Sequence, residues 1–350
     1  MDHRAQPRLE NAHTLSREHA GGCETTPPPR TSPGASISTS RASLGAIPLL
    51  LIEDLTKRFP GQARPAVDGV DLEVRDGEIL GLVGLNGAGK TTTIRVGVGV
   101  SLPSGGRVLI DGQDIVREKR LASARVGWVP EGFPYELNAR ALPLLTYLAG
   151  FHGLHGSKAR ERGHELLVRV GLPHVERARL RTLSLGMKKR FALASAMVGE
   201  PPNILLDEIL NGLDPQGMAF ARKWLLDERR AGRAILLSSH LLTELQAVAD
   251  RIAFLHGGRV IQIIDHAELA TQGKHVLRLS VENLDAAALE YLASVGEPRV
   301  EGSSVVLSAP RVTTAELNAE LNRRGYRVSE LRAESESLEA YFLRLIGSAP

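Results

Sequence analysis

From about residue 48 onward, apolar residues come in short runs separated by glycine-containing turns. Positions 49–55 and 67–74 alternate apolar and polar around a loop holding Pro60, Gly61 and Pro65, which predicts two strands paired antiparallel. Residues 78–83 form instead a continuous apolar run, the kind buried on both faces of a parallel sheet. Two further runs, 204–206 and 234–237, each end in polar residues. If the sheet is parallel those polar ends share one edge, and open α/β sheets bind ligands at the carboxyl ends of their strands. Between about 138 and 181 the pattern is mostly helical, with Leu142, Leu145 and Leu148, then Leu166, Leu167 and Val170, at helical spacing.

The last 80 or so residues read as a separate unit. Residues 275–281 alternate as a strand, 284–295 are helix-like, and 299–307 read as a hairpin turning at Gly302-Ser303. Thr313 and Glu316 supply a capping box for a helix with Leu317 and Leu321 on one face and Gly325 as its stop. A strand over 326–331 follows, and Leu338, Phe342 and Leu345 mark a final amphipathic helix. The order β-α-β-β-α-β predicts a small split βαβ domain. Residues 1–47 differ from all of this. They hold Pro27-Pro28-Pro29, many Ser, Thr and Arg, and no aromatic residue, so they bury too little apolar surface to offset their ordering entropy and are expected to be a disordered tail. The expected division is therefore 1–47, 48–270 and 271–350.

A length of 350 residues agrees with about two domains. Basic and acidic residues, 43 and 40, nearly cancel, and aromatics are only 4%, so neither a basic surface nor a base-stacking platform points to nucleic acid. The single cysteine, Cys23, cannot form an intramolecular disulfide, and no Cys/His cluster has metal-ligand spacing, so a reducing compartment is expected. No apolar run approaches the ~18 to 20 residues of a membrane span. The first 40 residues also lack the apolar stretch of a secretory signal.

Directly after the run ending at Val83 stands Gly84-Leu85-Asn86-Gly87-Ala88-Gly89-Lys90-Thr91, a full match to G-x-x-x-x-G-K-[ST]. Its glycines let backbone N–H groups curl around phosphate oxygens, Lys90 adds a positive charge, and Thr91 offers a hydroxyl to magnesium. The helix that follows would carry Val96-Gly97-Val98-Gly99-Val100, and each glycine costs about 1 kcal/mol in a helix interior. Either that helix is short or packing overrides its propensity. Asp207 and Glu208 end the 204–206 run; one carboxylate there can reach a metal through water while the next polarises an attacking water. His240, after Ser238-Ser239, ends the next run and is a candidate at the same edge.

In order and spacing these motifs resemble the ATP-binding cassette of ABC transporters over roughly residues 49–270. The resemblance implies an α/β P-loop NTPase fold: a RecA-like core with an antiparallel β subdomain, a helical subdomain at about 136–185, and here a small C-terminal α+β domain. It implies ATP and Mg2+ as cofactors. Phe59 is expected to stack on adenine, and Gly84 to Thr91 is the Walker A loop, with Thr92 beside it as a further nucleotide-binding position. Glu131 stands at the Q-loop position. Ser184-Leu185-Gly186-Met187 is the signature, Asp207 and Glu208 are Walker B, Asn211 to Asp214 is the D-loop, and His240 is the switch histidine. Thr91, Glu131 and Asp207 are the implied metal ligands; Glu208, His240 and Lys90 are the implied catalytic groups. Ser184 is also a good N-cap for the helix that follows, so its hydroxyl and the free N–H groups near Gly186 form an anion site. In the family that site faces the nucleotide of a second copy.

Three departures narrow the resemblance. Glu131 replaces a glutamine, Leu185 a glycine and Met187 a glutamine, as in the ABC-2 branch that includes antibiotic-resistance and polysaccharide exporters. Ile209 stands where a proline usually follows Glu208, which leaves open a shift of Glu208 or the D-loop. The implied function is the ATP-hydrolysing subunit of an exporter, working as a homodimer or cassette heterodimer on a separate integral-membrane permease, at the cytoplasmic face of the membrane. Two alternatives were weighed against it: a regulatory cassette with weak hydrolysis, and a soluble ABC ATPase acting on ribosomes or DNA. The second would need two cassettes in one chain or a long heptad insert between Lys90 and Asp207, and neither is present. A GTPase is disfavoured because no N-K-x-D element occurs.

Overall fold

The computed structural model describes residues 49–265, 275–302, 304–335 and 338–348. The expected tail over 1–47, Cys23 and the Ser303 half of the hairpin turn lie outside the described residues.

The chain starts with Leu50–Lys57 (β1) and Val67–Val74 (β2), which pair antiparallel with Leu50 opposite Val74. Ile79–Val83 (β3) leads into Lys90–Gly97 (α1). Gly105–Ile110 (β4) and Gln113–Asp114 (β5) then complete an antiparallel sheet in the order β2-β1-β4-β5. After Lys119–Ser123 (α2) and Val126–Val129 (β6) comes a helical stretch: Ala141–Gly150 (α3), Gly156–Arg169 (α4) and Leu185–Ala196 (α5). Its core holds Leu142, Leu145, Leu166, Leu167 and Val170, five of the residues whose helical spacing predicted it, together with Phe191 of α5. Asn203–Asp207 (β7), Pro215–Arg230 (α6), Ala234–Ser239 (β8), Leu242–Gln246 (α7), Arg251–His256 (β9) and Arg259–Asp265 (β10) follow.

The central sheet runs β10-β9-β3-β8-β7-β6, parallel except for β10. Every residue of β3, β7 and β8 is buried, as their unbroken apolar runs require of strands covered on both faces. Because these strands are parallel, Gly84, Glu208 and His240 all emerge at one edge. The glycines of α1 are resolved by both routes. The helix stops at Gly97, with Gly99 beyond it at φ 70°, and a Cβ at Gly97 would sit 2.9 Å from the side chain of Leu205, so glycine lets α1 seat on β7.

The C-terminal elements are His275–Glu282 (β11), Ala286–Val295 (α8), Glu297–Glu301 (β12), Ser304–Ser308 (β13), Thr314–Arg323 (α9), Arg327–Ser335 (β14) and Leu338–Ser348 (α10). The four strands form an antiparallel sheet in the order β12-β13-β11-β14, and Leu279, Leu292, Leu307, Leu317 and Leu321 make a core of their own beneath α8 and α9. The last helix does not join that core. Tyr341 and Phe342 of α10 pack on Phe254 of β9, ring centroids 5.8 and 5.6 Å apart, within the core of the central sheet. Among the described residues no helix is long and apolar enough to cross a membrane.

Candidate active site

The loop between β3 and α1 is shaped by close approach. A Cβ at Gly84 would lie 2.4 Å from the carbonyl oxygen of Leu255, and one at Gly89, which has φ 110°, would lie 2.5 Å from that of Ala66. Neither position admits a side chain. Lys90 opens α1 and its ammonium turns back to donate to the Gly84 carbonyl at 2.7 Å, with Glu208 Oε1 at 3.3 Å. Both charged groups are almost fully buried, so each depends on the other for its charge to be tolerated.

Asp207, the last residue of β7, accepts from Thr91 Oγ1 at 3.2 Å and from Ser238 Oγ at 2.7 Å. Glu208 follows at φ 52°, its N–H donating to the Ser238 hydroxyl at 3.1 Å. That backbone twist sends its carboxylate towards the loop. There Oε2 accepts from Asn211 Nδ2 at 2.9 Å and from the His240 N–H at 3.3 Å, and lies 3.0 Å from His240 Nδ1. A cleft of about 650 Å³ opens over these groups. Phe59, every residue from Leu85 to Thr92, Glu131, Glu208, Asn211 and His240 line it. Phe59 follows β1, is 37% exposed, and has the Lys57 ammonium 5.0 Å from its ring centre.

Ser184, Gly186 and Asp214 do not line this cleft. They sit at a second assembly. Ser184 caps α5 by accepting from the Met187 N–H, and Asp214 caps α6 by accepting from the Gly217 N–H at 2.8 Å. Leu185 is 54% exposed and its side chain would lie 3.1 Å from a Cβ at Gly212, so the two capped turns are neighbours. Asp207 reaches Thr91 from outside the cleft lining. Ile209 and Leu210 are buried, and Glu208 still lines the cleft with Ile209 in place of a proline.

Three contributors carry no motif of their own in the sequence. Asn211 marks in the sequence only the start of a loop motif and Ser238 only a polar strand end, yet they hold the two carboxylates. Lys189 has no sequence signal beyond its place in the run after the signature. Its ammonium, on α5, reaches carbonyls of the turn after β7; burial pushes it below the ordinary lysine range, and the carboxylates of Glu208 and Glu131 oppose that shift. Nothing local in the sequence signals a contact spanning 20 residues.

The sequence pattern of the family described as "ABC transporter" matches residues 67–211. The bacitracin transport ATP-binding protein BcrA of Bacillus licheniformis is 32% identical over 302 residues, covering 84% of this chain and 96% of that protein. The chain belongs to the ABC transporter family. Nod factor export ATP-binding protein I of Ralstonia nicotianae is 31% identical to this ABC cassette over 308 residues, covering 87% of the chain and 95% of the relative. Among solved structures, cbiO1 from Clostridium perfringens, part of the ABC transporter complex cbiONQ, superimposes with a TM-score of 0.58 at 27% identity, over 64% of this chain and 91% of that one. The chain is thus an ATP-binding cassette ATPase.

The donor set around Asp207 suits a hard cation. Among the described residues no group of three His, Cys, Asp or Glu could hold a metal by itself. The ABC site offers instead a hydroxyl and a carboxylate 3.2 Å apart at the loop, with Glu131 on the cleft wall. Magnesium is bound in this manner, through one or two carboxylates plus substrate phosphates.

Proposed function

We propose that this cassette is the ATP-hydrolysing subunit of an exporter, sitting at the cytoplasmic face of the membrane against a separate integral-membrane permease. The observation that carries it is the Glu208 carboxylate, buried at the mouth of the phosphate loop between Lys90, Asn211 and His240. In this reading the loop N–H groups and Lys90 hold the nucleotide phosphates, and Phe59 stacks on the base. Glu208 takes the proton of the water that attacks the γ-phosphorus, as the bond from that phosphorus to the bridging oxygen breaks and ADP leaves. His240, hydrogen-bonded to Glu208, stabilises the charge that develops. Thr91 and Asp207, with Glu131, would hold Mg2+, which when bound neutralises charge on the phosphates.

Ser184, Gly186 and Asp214 enter through a second copy in this reading. Their absence from the cleft lining supports a homodimer or heterodimer of cassettes in which each signature completes the partner's site. ATP then acts as the adhesive, and hydrolysis reopens the pair. The permease would dock on the helical region after Glu131, where Tyr147 and Phe151 are exposed edge to face at 5.2 Å. Export is favoured over import by the Glu131, Leu185 and Met187 variants. No nucleic-acid partner is expected. The 271–350 segment is read as an accessory module that stabilises the pair.

Two measurements test the proposal together. Phosphate release by the purified protein should be ATP-dependent and lost in Glu208→Gln, and the tagged chain expressed in its native host should bring down a multi-span membrane protein. Recovery with ribosomes and no permease would overturn the transporter reading. ATP turnover at the wild-type rate in Glu208→Gln would overturn the assignment of the base.

A further inference from the structure

Lys189 stands five residues after Ser184, on α5, but its ammonium ends in another part of the fold. It donates to the backbone carbonyls of Glu208 at 3.3 Å and of Ile209 at 2.8 Å, and to that of Asn211. An ammonium carries three N–H donors and no acceptor, so three carbonyls use it fully. The turn that supplies those carbonyls needs such an anchor. Glu208 holds φ 52°, a left-handed conformation that a side-chain-bearing residue keeps only when its surroundings enforce it. The next residue is Ile209, whose φ is not locked as a proline's would be. Asn211 closes the same turn and grips the Glu208 carboxylate at 2.9 Å. Whatever fixes these carbonyls therefore fixes where the carboxylate points.

We infer that Lys189 is a positioning residue for Glu208, holding the turn after β7 so that the carboxylate faces the phosphate loop. Its place on α5 has a consequence. The helix that Ser184 caps and the turn that carries Glu208 are joined by one side chain, so a displacement of the signature helix is transmitted to the base. The inference rests on the reading of Glu208 as that base. It also explains how Glu208 stays in the cleft with Ile209 behind it: a cation on the carbonyls replaces a restraint on the backbone.

The test uses the full-length protein with Lys189→Met and Lys189→Arg, following phosphate release against ATP concentration and, separately, the ATP dissociation constant. Misplacing a catalytic group by about 1 Å can cost on the order of a hundredfold. Lys189→Met should therefore lower kcat by roughly ten- to a hundredfold and leave KM and the ATP dissociation constant within about twofold. Lys189→Arg, which keeps a cation with several donors, should recover part of the loss. A melting temperature matching the wild type separates misplacement from unfolding. Should Lys189→Met melt far lower, Lys189→Gln, which keeps two N–H donors, takes its place under the same criteria. An unchanged kcat overturns the inference, as does a loss that appears in ATP affinity rather than in kcat. Failure of the underlying reading looks different: Glu208→Gln would then turn over ATP at the wild-type rate, whatever the Lys189 variants do.

Discussion

Of the three sheets among the described residues, the central one and the C-terminal one both carry charged residues on or beside them, yet they arrange those charges differently. In the central sheet β3, β7 and β8 are parallel and buried on both faces, so their polar residues are confined to strand ends, and the carboxyl ends lie together. Lys90, Asp207, Glu208 and His240 meet there because there is one edge for all of them. The C-terminal sheet is antiparallel, and its strand ends alternate between opposite edges. Its charges lie on the face that α8 and α9 leave open. Arg299, Arg278 and Arg332 share one cross-strand row, and Glu301 and Glu330 the next. Arg278 lies 3.4 Å from Glu301 and Arg332 2.7 Å from Glu330, so these charges answer one another across the sheet surface. Parallel topology concentrates unlike groups at a point; antiparallel topology spreads paired ones over a face.

The sharpest way to break this contrast is at the loop lysine. Lys90→Ala removes the charge that would face the phosphates and takes the lysine ammonium from the buried Glu208 carboxylate, which keeps only Asn211 and His240 as hydrogen-bond partners among the described residues. Nucleotide-dependent phosphate release should fall to background. The fold should also be destabilised, by up to about 3 to 5 kcal/mol, and a melting curve alongside the assay checks both. Glu208→Gln comes next. It keeps size and most hydrogen bonds but cannot accept a proton, so turnover should drop about 10² to 10⁴-fold while ATP still binds. Size-exclusion chromatography with ATP should then show a persistent dimer; a monomer under saturating ATP would count against the sandwich arrangement.

Phe59→Ala is milder. The ring is partly exposed and supplies stacking rather than chemistry, and loss of one base–aromatic stack is worth about 1 to 3 kcal/mol. The ATP dissociation constant should rise roughly five- to a hundredfold with kcat little changed. GTP affinity should fall in parallel, because every base has a stacking face.

How much of this could be read from the sequence follows the same division. The strands β3, β7 and β8 were legible because unbroken apolar runs can be satisfied only by burial on both faces. The phosphate loop was legible because its glycines, lysine and threonine are contiguous. The capping box at Thr313 and Glu316 and the N-cap at Ser184 were legible for the same reason. What stayed hidden depends on distant approach. The Lys189 contact joins α5 to the turn after β7, and the left-handed Glu208 has no local signal, since glutamate rarely holds such a φ. The amphipathic pattern of α10 was clear, but the sheet it would cover was not. Its apolar face fits any unfilled surface, and the packing of Tyr341 and Phe342 on Phe254 selects the central sheet over the sheet already roofed by α8 and α9.

The smallest effect is expected where the C-terminal sheet meets its second helix. Thr313 Oγ1 accepts from the Glu316 N–H at 3.2 Å, and Glu316 Oε2 accepts from the Thr313 N–H at 2.9 Å, a reciprocal cap on α9. Thr313→Ala removes half of it and should cost about 1 kcal/mol of stability. The bond from the Thr313 backbone N–H, and then one that the Thr313 hydroxyl donates to Glu316 Oε2 at 3.0 Å, hold the Glu316 carboxyl below the usual glutamate range. A carboxyl depressed on folding stabilises the protein at pH values above its unfolded pKa, and that contribution fades as pH falls through its folded value. Wild type and Thr313→Ala should therefore differ more in melting temperature at pH 7 than at pH 3. Phosphate release at pH 7 should be the same in both. If Thr313→Ala lowered turnover without lowering stability, the C-terminal sheet would be a participant in the reaction rather than a paired, self-contained surface.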